Sequence, residues 1–100
     1  MATTSKALFR GAASLTSTTL YTVPSATTAV VTNIAVCNNT STAATFTLLL
    51  DDIELQKDST IAANSTAYID LKQVLGTTKT IKGLASAITV DFHISGVEIA

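Results

Sequence analysis

Asp91, His93 and Ser95 stand at alternate positions of "AITVDFHISGVEIA", the stretch from Ala87 to Ala100. An acid, an imidazole and a hydroxyl are the ingredients of nucleophilic acyl transfer, in which a base relays the hydroxyl proton. The alternation of Ile88, Val90, Phe92 and Ile94 between them reads as a β-strand. Neighbours on one strand face are roughly 6.5–7 Å apart along the chain, too far for the short hydrogen bonds of a triad. No strained Gly-x-Ser-x-Gly turn exposes a nucleophile. With Thr89, these residues are better read as a solvated or partner-facing polar strip. His93 is the only histidine, so no second imidazole is available to complete a metal site.

The acidic stretch "DDIELQKD" carries Asp51, Asp52, Glu54 and Asp58, but not the ligand order or central glycine of an EF-hand loop. An acidic hairpin kept soluble by charge is expected, without a metal. Cys37 is the lone cysteine, lacks a basic neighbour and cannot form an internal disulfide, so it reads as a small packing residue. Phe9, Tyr21, Phe46, Tyr68 and Phe92 are too spread for a sugar-stacking or single-strand platform, and both tyrosines read as core-edge residues. Neither an enzyme nor a bound cofactor is expected.

The elements that carry these residues are short and extended. Hydrophobic residues make up 47% of the 100-residue chain and charged ones 13%, about half the usual charged share. Threonine and serine take the place of charge, and threonine's branched Cβ suits outward strand positions. A net charge of −1 without a basic run disfavours nucleic acid as a partner. No apolar run reaches the length of a membrane span or a signal peptide, so synthesis in a cytoplasm is expected, with no membrane partner.

Strands are expected at Lys6 to Gly11, Thr18 to Val23, Thr27 to Asn38, Ala44 to Asp52 and Thr66 to Leu71. Pro24-Ser25 should end the second, because proline has no N–H for a ladder. On the third, Val30, Thr32, Ile34 and Val36 are assigned to the core face. Phe46, Leu48 and Leu50 are assigned inward on the fourth. Turns are expected near Lys57-Asp58-Ser59 and at Asn64-Ser65. "KQVLGTT" suggests one helical turn closed by Gly76, and the lysines of "KTIKGLAS" suggest a sheet edge. In the last strand the apolar residues pass from even positions to Val97 and Ile99, so a β-bulge is expected at or beside Gly96. The class is all-β: one β-sandwich or jelly roll of seven or eight antiparallel strands over residues 7–100, preceded by a flexible arm over residues 1–6.

Four stretches carry a resemblance: "LFRGAA" (Leu8 to Ala13), "TLYTVPSATTAVVTNIAVCN" (Thr19 to Asn38), "IAANSTAYIDLKQVL" (Ile61 to Leu75) and "FHISGVEI" (Phe92 to Ile99). Together they resemble small virion proteins of tailed bacteriophages. The resemblance implies a structural component of the particle, foremost a capsid decoration, or cement, protein. Such a protein docks on the outer face of the major capsid protein shell and often assembles as a homotrimer. A tail, neck or baseplate accessory is the alternative within the virion, and a carbohydrate-binding or adhesion module is the alternative of another class. Candidate contact residues are the arm (Thr3, Thr4, Ser5, Lys6), Arg10 as a partner for shell carboxylates, and the strip Thr89, Asp91, His93 and Ser95.

Overall fold

Runs of β-branched and aliphatic residues punctuated by Asp, Asn, Pro and Ser turns give eight strands in a computed structural model that describes residues 3–100. They are β1 (Thr3–Ala12), β2 (Thr18–Thr22), β3 (Thr28–Asn38), β4 (Ala44–Leu50), β5 (Ile53–Ile61), β6 (Thr66–Leu75), β7 (Thr80–Ala85) and β8 (Val90–Ile99). Two four-stranded antiparallel sheets form, in the orders β1-β8-β3-β6 and β2-β7-β4-β5. Only the β4–β5 connection stays within a sheet; every other one crosses to the opposite layer. This is the strand order of a jelly-roll sandwich.

The core lies between the layers. Val31, Ile34, Val36, Val90, Phe92 and Ile94 come from the first sheet and Leu48 and Ile81 from the second, all almost completely buried. Each such side chain stabilises the fold by about 1.5–3 kcal/mol on burial. Phe92 meets Phe46 edge to face across the layers, with ring centroids 6.3 Å apart. Opposite it, the bare backbone of Gly83 leaves room for the ring. Among the described residues Asn38 is the one fully buried polar side chain of large volume. Its Nδ2 donates to the carbonyls of Thr42, Ile61 and Ala62 at 2.9–3.3 Å, and its Oδ1 accepts from the Thr40 N–H. Two neighbouring loops are thereby tied to the end of β3.

Several expectations are corrected. Thr3 to Lys6 are not a free arm: they open β1 and pair with Ile99, Glu98, Val97 and Gly96 of β8. Met1 and Ala2 lie outside the described residues. On β3 the core residues are Val31, Ile34 and Val36, whereas Val30 faces outward. Thr32 is an extra residue there, standing between Val31↔Gly96 and Asn33↔Ser95, and it reverses the phase of the strand. The second extra residue relative to β8 is Leu8, between Ala7↔Ser95 and Phe9↔Ile94. Thus both bulges flank Gly96 from neighbouring strands, while β8 itself keeps its alternation. Val97 and Ile99 are apolar because they cover the outer face, not because the strand shifts.

The turn expected at Lys57-Asp58-Ser59 is instead an irregularity inside β5. Asp58 takes a left-handed backbone (φ 47°) and donates its N–H to Thr47 Oγ1 at 3.0 Å. The reversal occurs earlier, at Asp51-Asp52, where both residues are left-handed (φ 55° and 60°) between paired Leu50 and Ile53. That is the two-residue hairpin geometry whose twist matches the flanking strands. "KQVL" continues β6 rather than forming a helical turn. β7 lies inside its sheet, not at an edge; its lysine belongs to the ion pairs described next.

Candidate functional site

Register, not proximity in sequence, brings the candidate residues together. Asp91, His93 and Ser95 point outward from β8, beside Ala12, Arg10 and Ala7 of β1 on one side. On the other side stand Cys37, Ala35 and Asn33 of β3, and beyond them Thr66, Tyr68 and Asp70 of β6. One row therefore reads Arg10, His93, Ala35, Tyr68 across the whole sheet. Tyr68 is 75% exposed, so it is a surface residue and not the core-edge one expected. Its signal was present in the sequence as the single aromatic among the alternate polar residues of "TAYIDL".

Asp91 accepts a hydrogen bond from Asn39 Nδ2, and the Cys37 thiol lies 3.3 Å from Asn39 Oδ1. Cys37 is thus half-buried on the outer face, on the side of β3 opposite the buried Ile34 and Val36. Thr89 lies in the turn before β8, where its carbonyl accepts the Asn39 N–H at 3.0 Å. Arg10 and His93 are exposed and side by side. What this face offers is a broad, weakly charged surface with a cationic spot at the β1–β8 seam. An acidic loop would satisfy that spot.

Thr3 and Ser5 sit at the other end of the same sheet, opposite Ile99 and Val97. Lys6 departs from the group, because its Nζ lies 3.4 Å from Glu98 Oε1. Glu98 also accepts a hydrogen bond from the Tyr21 hydroxyl of the opposite sheet, so the trio clasps the two layers at their rim. No signal in the sequence linked Tyr21 to Glu98, since the pairing depends on how the sheets stack.

The Tyr21 hydrogen bond, with Lys6 adding to it against the opposing effect of burial, holds the Glu98 carboxyl below its ordinary range. Burial foremost, then Glu98, pushes the Tyr21 phenol above its own range. A depressed acid stabilises the fold above its unfolded pKa of about 4.3, and that contribution disappears as pH falls through the depressed value. A raised phenol stabilises below its unfolded pKa of about 10 and loses this as pH climbs through the raised value. Thermal melts across pH should show a plateau between those limits. Glu98→Gln should flatten the acid limb, and an unchanged acid limb in that variant would refute the clasp.

The acidic residues make local ion pairs: Lys82 with Asp52 at 2.7 Å, Lys79 with Asp51 at 3.6 Å and Lys57 with Glu54 at 3.6 Å. These exposed pairs contribute little stability each. Among the described residues no group of three or more His, Cys, Asp or Glu side chains is placed to hold a metal ion. Among the described residues no helix is long and apolar enough to cross a membrane. Compared with protein-family models and with curated proteins, the chain matches none.

Proposed function

We propose that this domain is a structural protein of a bacteriophage particle, a capsid decoration protein that docks on the outer surface of the major capsid protein shell and stabilises it. The observation that carries the reading is the outer face of the β1-β8-β3-β6 sheet. Small and β-branched residues dominate it, and its charges, Arg10 and Lys72 against Asp70 and Asp91, balance. Such a face can seat on a large flat partner without a net charge to repel it. Arg10 and His93 supply the oriented polar contact, with the guanidinium fork matched to a shell carboxylate. The role needs a persistent scaffold rather than turnover, and nearly all connections of this jelly roll cross between the layers and tie them together. Many weak contacts then add through multiplicity. The resemblance to small virion proteins points the same way.

The test is a particle assembled without the protein. Heads lacking it should rupture at lower temperature and milder osmotic shock, and adding back the purified protein should restore them. Addition of an Arg10→Glu variant should not. Heads of unchanged resilience would overturn the reading, and labelled protein found on the tail would move it to a tail, neck or baseplate accessory. A glycan-binding module is the second reading, favoured by the exposed Tyr68 in the Arg10–His93 row. Glycan binding by the isolated domain, lost on Tyr68→Ala, would select it.

A further inference from the structure

Strand β6 forms an open edge of its sheet, and its backbone N–H and C=O groups on that side have no strand partner. A free edge is a template for another strand unless shortness, bulges or charge blunt it. The other three edges are blunted. β2 has five residues, and β5 is interrupted twice in its register with β4. The only charges on β1 are Lys6 and Arg10, which have the same sign. β6 is ten residues long, and its charges differ in sign.

Its sequence is also symmetric in a way the others are not. Antiparallel pairing of β6 with itself about Leu71 sets Asp70 opposite Lys72 of the second copy, and Lys72 opposite Asp70. The same register sets Tyr68 opposite Val74, twice. Tyr68 and Val74 are 75% and 67% exposed, two of the five large hydrophobic residues left open on the surface among the described residues. Among the described residues neither Asp70 nor Lys72 has an ion-pair partner within the chain. Cross-strand pairs of opposite charge, and aromatic with β-branched pairs, are the units that stabilise a ladder.

A third feature lies on the same edge. A cleft of about 350 Å³ opens between the sheets there, lined by Leu50, Ile53 and Leu55 with the acidic Asp51 and Glu54 on one side and by Gln73, Val74 and Leu75 of β6 on the other. In the self-paired register, Ile69 of the second copy lies opposite Gln73 and Ala67 opposite Leu75. The partner's half-buried Ile69 is therefore brought to the mouth of the cleft, beside Ile53, which is 71% exposed.

We infer that two copies of this chain associate edge to edge through β6, joining their sheets into one eight-stranded sheet across a two-fold axis at Leu71. The inference is independent of where the protein acts. It replaces the homotrimer implied by the resemblance with a two-fold pair. β6 carries Leu71 and Lys72 against the single residue Thr32 of β3, so the strand is irregular near the axis. The ladder is correspondingly short, and the dimer is reversible and concentration-dependent.

Charge exchange tests it. Sedimentation equilibrium of the wild-type chain should show a monomer–dimer equilibrium. Asp70→Lys alone and Lys72→Asp alone should each weaken self-association by about tenfold or more, because each places like charges opposite one another twice. An equimolar mixture of the two variants should recover dimers, as should the double variant D70K/K72D. Circular dichroism of each variant checks that it is folded. As a second readout, Tyr68→Cys and Val74→Cys chains, both in a Cys37→Ser background, should cross-link to each other on oxidation. Neither should cross-link efficiently alone. A wild-type chain that stays monomeric at all concentrations, a trimer, or single variants that associate like the wild type would overturn the inference.

Discussion

Gly96→Ala should destabilise the domain by about 3 kcal/mol, the upper end of ordinary overpacking. The glycine faces inward from β8, where an added Cβ would lie 2.3 Å from the Val30 carbonyl oxygen and 2.9 Å from Leu8 Cδ1. A flexible side chain can turn aside, but a carbonyl cannot move without its strand. Val30 is held by pairing with both Val97 and Val74, so relief requires a shift of the sheet's centre. At this chain length the melting midpoint should drop by more than about 10 °C. Gly76→Ala is the control: nothing lies within 4 Å of its Cβ position and its φ is not positive. That variant should be neutral, or more stable by about 0.4–1 kcal/mol through the entropy of the unfolded chain. Equal midpoints for the two variants would show that the close approach at Gly96 does not exist.

Phe92→Ala should cost about 3–5 kcal/mol, the range for emptying a buried aromatic site. The loss is expected at the high end because the space over Gly83 and a second ring, Phe46, are fitted around it. Phe46 loses its edge-to-face partner, and the space over Gly83 opens into a cavity. A cost of this size is comparable with the whole stability of a small domain, so chemical denaturation at low temperature is the suitable measurement. The milder Phe92→Leu serves as background for a double-mutant cycle. A Cβ at Gly83 would meet Phe92 Cε2 at 3.1 Å, Leu20 Cδ1 at 3.0 Å and Leu48 Cδ2 at 3.2 Å. Gly83→Ala should therefore destabilise the wild type by about 1–3 kcal/mol. In the Phe92→Leu background it should cost less, with a coupling of at least about 0.5 kcal/mol. Strict additivity would mean that ring and glycine do not share this space.

The two largest effects also mark the boundary between what is written locally and what is not. Alternation is local, and it carried the all-β class, the strands from Thr18 to Leu50 and the inward set Phe46, Leu48 and Leu50. Turn chemistry was half legible. Pro24-Ser25 and Asn64-Ser65 act as turns, yet Asp51-Asp52 and Asp58 have the same left-handed tolerance and serve different ends, one a hairpin and the other a bulge. An aspartate states that a left-handed residue is tolerated, not which irregularity it serves.

Position along the chain determined by itself that Asp91, His93 and Ser95 share a face, because a strand's two-residue period needs no partner. Only the tertiary structure decided that Arg10 and Tyr68 complete their row, that Glu98 meets Tyr21, and that Val31 rather than Val30 enters the core. Each of those outcomes depends on register between segments distant in sequence, and one extra residue, Thr32 or Leu8, reverses or delays the facing of all that follows. The physical reason is that a strand encodes its own alternation but not its alignment, which is settled by which bulky side chains, and which missing ones at Gly83 and Gly96, fit together when the two sheets close.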